Sequence, residues 1–443
     1  MNWPATTTGS CENMTASTSD FPDFAAFAAY LDSLGLFHMD LGPGRMRAAL
    51  AGLRLESLPH LAAQVVGTNG KGSTAALLAG LLAAHGLPTG LYLSPHFVSV
   101  RERILLGGKM ISEEDWTRAA SAVQAAVAGR GLDGRLTYFE LLTAMAAWLF
   151  ADLGAEAAVY EAGLGGAGDA TTALPRDLTL FTPMGLDHAS VIGPTLADIA
   201  LDKAGALIPS GQAVTGPQPA EAAAVLRREA LARGTRLFDA AELAAYDPSS
   251  RQATLLFPKR LDVPDVKLKL AGPHQAQNAA LALAGFALCA EAMGIAPDSE
   301  AVRRALAETF LPGRLHLLRL PGMAPALLLD SAHNLPALTA LETALKALLV
   351  SPTALIFTCL ADKDFEAMAS MAARLTTGPI YVPELPGVSR ARPAAEVAAR
   401  LGKRAMAVAG PREALEAVEK LDGTVLVCGS MYLLAALFAD RPN

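Results

Sequence analysis

Residues 65–74 read Val65-Val66-Gly67-Thr68-Asn69-Gly70-Lys71-Gly72-Ser73-Thr74. A short apolar run, 62–66, enters this stretch, and a helical run, 75–84, leaves it. Strand, glycine loop and helix in that order make a phosphate cradle. Glycines let successive N–H groups turn inward toward an anion, and the helix N-terminus adds the positive end of its dipole. Lys71 supplies a mobile cation for distal phosphates, and the Ser73 or Thr74 hydroxyl can reach a metal. Two positions depart from the usual spelling of such a loop. Val65 stands where the first glycine is expected, and Gly72 rather than a hydroxyl residue follows Lys71. A glycine turn that holds no nucleotide is the competing reading. The agreement of strand, loop, lysine, hydroxyls and helix favours a nucleotide.

Outward from the loop, the chain is long for one hydrophobic core, so its 443 residues imply two or three domains. Hydrophobic residues make up 52% and charged residues 18%, enough apolar matter for large cores. A formal charge of −7 without any basic run argues against nucleic acid as a partner. Cys11, Cys289, Cys359 and Cys428 are far apart and form no C-x-x-C pair, which suits buried thiols in a reducing cytoplasm. Residues 1–20 lack Lys and Arg and are rich in Thr and Ser, so they read as a disordered tail and not as a signal peptide. The longest apolar runs, 75–84 and 279–290, fall short of the roughly 20 residues that span a bilayer, so no membrane is expected.

Taken in order, two helical stretches within 21–58 flank a turn-rich loop at 39–44. A strand at 90–93 follows the cradle helix and ends at Ser94-Pro95-His96, a βαβ unit that predicts a parallel sheet. Arg101-Glu102-Arg103 interrupts an apolar segment, 97–106, and reads equally as a hairpin face or as a loop for an anionic substrate. Helices are predicted at 113–129 and 138–153, strands at 157–160 and 178–182, and a helix at 196–208. A strand at 213–214, a helix at 219–233 and a strand at 236–238 continue the alternation. Residues 239–270 suit a small antiparallel excursion, and a long Ala/Leu-rich helix runs from 274 to about 294. Leu311-Pro312-Gly313-Arg314 looks like a linker, after which β–α alternation begins afresh. The expected architecture is therefore α/β throughout. A P-loop-type parallel-sheet ATPase domain at 21–310 precedes a smaller Rossmann-like domain at 311–443.

In an open parallel sheet, ligands sit beyond the carboxyl ends of the strands. Besides the cradle, three such ends in the first half carry polar groups: Ser94, Glu161 and His188. A hydroxyl, a carboxylate and an imidazole converging beside a triphosphate are candidate ligands for Mg²⁺, with His188 the unusual member. Lys203, next to Asp202, reads either as a surface ion pair or as a lysine facing the phosphates. In the second half, Asp330-Ser331-Ala332-His333-Asn334 and Ala361-Asp362-Lys363-Asp364 end apolar strands and suggest a second half-site, with Arg314 within reach of a nucleotide phosphate.

The ordered set G-T-N-G-K-G-S-T, S-P-H with R-E-R-I, T-Y-F-E at 137–140, E-A-G-L-G-G, D-A-T at 169–171, G-L-D-H, D-K-A-G, H-Q-x-x-N at 274–278, L-P-G-R and D-S-A-H-N resembles the folylpolyglutamate synthase/dihydrofolate synthase family of the Mur ligase superfamily. The likeness covers roughly residues 21–435. It implies a monomeric cytoplasmic ligase that uses ATP, Mg²⁺ and L-glutamate on a folate or dihydropteroate carboxylate, through an acyl phosphate. By the same resemblance Lys71, Lys203 and His333 are catalytic, with Lys203 carbamylated. ATP contacts fall on residues 67–74, Asn278, Arg314 and Asp330, Mg²⁺ on Ser94, Glu161 and His188, and the pterin on Thr137, Phe139 and Asp169.

The sequence departs from that family's pattern at Ala167 and Thr172, where an arginine and an asparagine are usual, and at Arg101, Asp202 and Ser331. None of these touches an expected phosphate or metal group, but they bear on the pterin end and hence on which folate form is accepted. A ligase joining amino acids to UDP-linked sugar peptides is the rival within the superfamily, and it would need a UDP-binding domain for which about 60 upstream residues leave no room. A nucleotide switch is the rival from another class, and it would have no use for D-S-A-H-N.

Overall fold

The computed structural model describes residues 21–35, 42–128 and 136–438. The expected tail at 1–20 with Cys11, the start of the turn-rich loop at 39–41, Gly129 of the 113–129 helix and the stretch 439–443 lie outside the described residues.

The first sheet has eight strands: β1 Leu61–Val66, β2 Thr89–Tyr92, β3 Ile104–Leu106, β4 Lys109–Met110, β5 Ala157–Glu161, β6 Leu178–Phe181, β7 Gln212–Thr215 and β8 Arg236–Asp239. Their order is β4-β3-β2-β5-β1-β6-β7-β8, parallel from β2 to β8, with β3 and β4 added antiparallel at one edge. β1 is buried along its whole length because helices cover both faces, the usual state of a parallel sheet. Alternation along the strand splits its residues between two cores. Ala63 and Val65 pack with the helices Lys71–Ala84 and Pro273–Met293, while Ala62 packs with Glu113–Val127 and Tyr138–Asp152. Val65 pairs with Glu161 and Leu180, so the position where a glycine was expected is still inside the sheet, and the loop opens only at Gly67.

β9 Ala244–Asp247, β10 Gln252–Leu255 and β11 Leu261–Val263 form the antiparallel excursion, stacked on the helix Pro273–Met293. That 21-residue helix is, among the described residues, the one long and apolar enough to cross a membrane, longer than its apolar run alone suggested. It serves as a core helix, with residues such as Leu283, Ala284 and Phe286 fully buried.

The second sheet comprises β12 His316–Leu318, β13 Ala326–Leu329, β14 Ala354–Phe357, β15 Ile380–Pro383, β16 Ala405–Val408 and β17 Thr424–Cys428, in the order β12-β13-β17-β14-β15-β16. All pairs are parallel except β12 with β13. The two edge strands, β12 and β16, have no counterpart in the sequence reading. Each is only partly buried, so neither carries the continuous apolar run that marks a central strand. Cys289, Cys359 and Cys428 are buried and free, as expected.

Candidate functional site

Four neighbouring strands, β2-β5-β1-β6, run out at one edge, and each leads into a polar group: Ser94, Glu161, the glycine loop and Asp187-His188. Gly67 and Gly70 have φ of 154° and 89°, and a Cβ on them would strike Thr182 and the Asn278 amide respectively. Gly72 is small for another reason. A Cβ there would stand 3.3 Å from both Glu161 oxygens, so glycine lets that carboxylate lie against the first turn of the helix Lys71–Ala84. Lys71 opens the helix, four residues earlier than the sequence pattern placed its start, and its Nζ donates to the Thr68 carbonyl at 3.1 Å.

The Ser73 and Thr74 hydroxyls are buried without a hydrogen-bond partner. An orphaned group of this kind costs about 1–3 kcal/mol, a cost that an oxygen-rich ligand or its cation would relieve. Ser73 stands on the cleft wall, and Thr74 is fully buried behind it. Glu161, 4% exposed, accepts from the Ser94 amide at 2.7 Å. Burial raises its pKa, against the pull of the Lys71 ammonium and that amide. His188 takes φ 53°, a left-handed conformation that is uncommon for non-glycine residues but enriched for histidine. Burial, partly offset by Asp187, lowers its pKa to about 4, so the ring is neutral and offers a lone pair at pH 7.

No group of three or more His, Cys, Asp or Glu spaced for a metal occurs among the described residues. Glu161 and His188 instead flank the cradle strand from either side. With a hydroxyl, that donor set fits a hard cation completed by phosphate and water oxygens.

Lys203 reaches the cleft because Gly166 lets its helix, Leu196–Ala204, approach closely; a Cβ on Gly166 would lie 2.5 Å from the Lys203 Cα. It is 3% exposed and has no hydrogen-bond or ion-pair partner among the described residues, so a surface pair with Asp202 does not form. Burial, reinforced by Lys71, lowers its pKa to about 7.

From the second sheet, Asp330 accepts from the Leu315 and Ala332 amides at 3.0 and 2.9 Å. Burial raises its pKa, and Arg314 opposes the shift. Asn278 is held by Gln275 at 2.9 Å. The His333 Nδ1 lies 2.8 Å from the Ser331 carbonyl, which can only accept, so Nδ1 carries the proton and Nε2 the lone pair. Thr137 and Glu140 cap the helix Tyr138–Asp152 reciprocally. Phe139 packs under Gly163 and against Tyr92, and the Asp169 carboxylate accepts from Leu164 and Thr171.

Every residue assigned from the sequence except Thr74 lines one cleft of about 500 Å³ reached from both sheets. The tie between the sheets escaped the sequence reading. Asn69 and Asn334 exchange amide hydrogen bonds at 3.1 Å, and Asn334 donates to Asp187 at 2.8 Å. Asp187 also pairs with Lys363 at 2.5 Å, the side chains 7% and 4% exposed. Burial would raise the Asp187 pKa, but surrounding positive charge outweighs it and holds the carboxyl well below its usual range. The imidazoles of His188 and His333 add to that charge only in acid, so Lys363 is the partner at neutral pH. Both residues lay in quoted motifs, G-L-D-H and A-D-K-D, whose other members drew the assignments.

The Arg101-Glu102-Arg103 segment divides its labour. Arg101 is spent on the Ile111 carbonyl and Glu113, and Glu102 accepts from the amides of Phe97, Val98 and Ser99. Arg103 alone lines the cleft.

A glycine loop opening a helix at the centre of one parallel sheet, tied across a cleft to the strand ends of another, defines a two-domain α/β protein of the P-loop phosphate-binding type. No family model matches the chain. It is 32% identical to the dihydrofolate synthase/folylpolyglutamate synthase of Bacillus subtilis, with 92% of this chain and 98% of that protein covered. It is also 32% identical to a probable bifunctional folylpolyglutamate synthase/dihydropteroate synthase of Haloferax volcanii, covering 84% of this chain but only 45%, about half, of that longer relative. Its fold matches E. coli FolC in complex with DHPP and ADP at a TM-score of 0.81 and 30% identity, with 93% and 96% of the two chains covered. The Yersinia pestis bifunctional folylpolyglutamate synthase/dihydrofolate synthase complexed with AMPPNP and Mn ion matches at 0.80 and 27% identity, over 94% and 97%. The chain belongs to the folylpolyglutamate synthase/dihydrofolate synthase family.

Proposed function

We propose that the protein is an ATP-dependent ligase that joins L-glutamate to the carboxylate of a folate or of dihydropteroate. One observation carries the reading: the phosphate cradle and the D-S-A-H-N strand end form opposite walls of a single cleft, tied by Asn69 and Asn334. A carboxylate oxygen of the acceptor substrate attacks the γ-phosphorus of ATP, the bond to ADP breaks, and an acyl phosphate results. The glutamate amine then attacks the acyl carbon, and phosphate leaves with the bonding pair. Lys71 and the loop amides hold charge on the moving phosphoryl group. Ser94, Glu161 and His188 would hold Mg²⁺, which supplies further charge neutralisation. The His333 Nε2 takes the proton the amine loses, and Asp187, 3.7 Å away, stabilises the imidazolium. Asn278, Arg314 and Asp330 hold the nucleotide, and Thr137, Phe139 and Asp169 wall the pterin end. The linker at 311–314 lets 311–443 close on 21–310, excluding water from the acyl phosphate.

Two further residues belong to this reading. The Lys203 amine adds to CO₂ and releases a proton, placing a carbamate where the cation needs negative charge. Arg103, 3% exposed and without an ion pair among the described residues, receives a substrate carboxylate.

The deciding assay is phosphate release from ATP with dihydropteroate or tetrahydrofolate, each with and without glutamate. Release that requires both partners is expected. ATP turnover indifferent to glutamate would overturn the ligase.

A further inference from the structure

We infer that His96 is a positioning residue that fixes the Arg103 guanidinium for a substrate carboxylate, an inference that rests on the reading of Arg103 above. The Arg103 Nε donates to the His96 Nδ1 at 2.9 Å. A guanidinium can only donate, so Nδ1 holds a lone pair in that contact. The guanidinium also lies over the Tyr138 ring, 5.3 Å from its centroid. Neither neighbour supplies a counter-charge. Buried charge is expensive until an opposite charge meets it, and a carboxylate meets guanidinium best in a fixed, planar, two-bond geometry.

The backbone of this segment is already set. Glu102 accepts from three successive amides, and the Arg103 carbonyl accepts at 2.9 Å from the amide of Leu93, the residue that follows β2. The freedom that remains lies in the arginine side-chain torsions, and the His96 contact removes it from one side while Tyr138 removes it from the other. His96 is not on the cleft wall, so it acts through Arg103 and does not touch substrate.

The test compares three substitutions. Asparagine places its Oδ1 where the histidine Nδ1 stands, glutamine reaches to the Nε2 position instead, and leucine fills the space with no acceptor. Steady-state kinetics would give kcat and KM for ATP, glutamate and the folate substrate in His96→Leu, His96→Gln and His96→Asn. Loss of an aligned bond to a charged group should raise KM about tenfold to a hundredfold in His96→Leu and His96→Gln. The rise should fall on glutamate or on the folate, whichever carboxylate Arg103 receives, with KM for ATP unchanged. His96→Asn should restore most of the loss, which a merely space-filling role would not do. Unchanged KM in His96→Leu, or equal impairment of the Asn and Gln variants, overturns the inference alone. Absence of glutamate-dependent phosphate release in the wild-type protein overturns the ligase reading and this inference with it.

Discussion

Replacing Lys203 with methionine should make the ligand-free protein more stable while it destroys activity. Burial and the Lys71 charge lower the Lys203 pKa from 10.5 to about 7. A drop of that size corresponds to roughly 5 kcal/mol at about 1.4 kcal/mol per unit, the most that the folded state gives up at pH 7 or below to enclose this amine. Between pH 7 and 10.5 the unfolded chain holds a proton on this lysine that the folded chain has released. Stability of the wild type therefore rises with pH through that window, and below it the penalty is constant. Methionine keeps the apolar stem and removes the amine, so Lys203→Met should gain up to roughly 5 kcal/mol at pH 7 in CO₂-free buffer, shrinking toward zero by about pH 10.5. The same pKa leaves about three quarters of the amine neutral at pH 7.5, against about 0.1% for an ordinary lysine, which is the population able to capture CO₂. Urea unfolding across pH, with and without bicarbonate, reads the first effect; ¹³C NMR with labelled bicarbonate reads the second. Wild-type ligase activity should fall in CO₂-free buffer and return with bicarbonate. A methionine variant that loses stability at pH 7, or that still ligates, would refute the reasoning.

Lys71→Ala should leave ligand-free stability nearly unchanged, since its Nζ makes one contact within its own loop, yet cut kcat about a hundredfold to a thousandfold; a shift in the urea midpoint would count against the cradle. Glu161→Gln and His188→Ala should each raise the Mg²⁺ concentration needed for half-maximal rate, and wild-type Mg²⁺ titrations in both would sink the ligand assignment. Lys363→Met leaves the Asp187 carboxylate buried with only two neutral donors, the His188 backbone amide and the Asn334 side-chain amide, and should cost about 3–5 kcal/mol, most of it regained in Asp187→Asn/Lys363→Met, as chemical denaturation would show. Asp187 has a depressed pKa, so its contribution is present above about pH 4 and fades as acid approaches its folded value; a larger loss of stability below pH 4 in wild type than in the double variant would check the sign.

Whatever is written in consecutive residues was legible before any folding was considered. Gly67, Gly70, Lys71 and Ser73 sit within one turn of chain, and their chemistry is legible because a phosphate cradle is a local object. The central strands were legible for a related reason: β1, β5, β13 and β14 are buried on both faces, so each is a nearly unbroken apolar run. Ser94, Glu161 and His188 could be nominated because each follows such a run. The edge strands β12 and β16 left no comparable mark, since one side of each faces outward. Tertiary structure alone decided the pairings. Asp187 and Lys363 are 176 residues apart, and Asn69 and Asn334 are 265 apart, so neither pair has any local signature. It also decided how Arg101-Glu102-Arg103 divides between scaffold and cleft, because the direction of each side chain is set by the turn Val100–Arg103 and its packing. For Lys203 the apolar helix around it already points to burial and a lowered pKa, while the size of the shift follows from full burial and from Lys71, which come together only when helix Leu196–Ala204 closes over Gly166. Local backbone chemistry fixes what a segment can hold, and only the folded chain fixes which charges share one low-dielectric space.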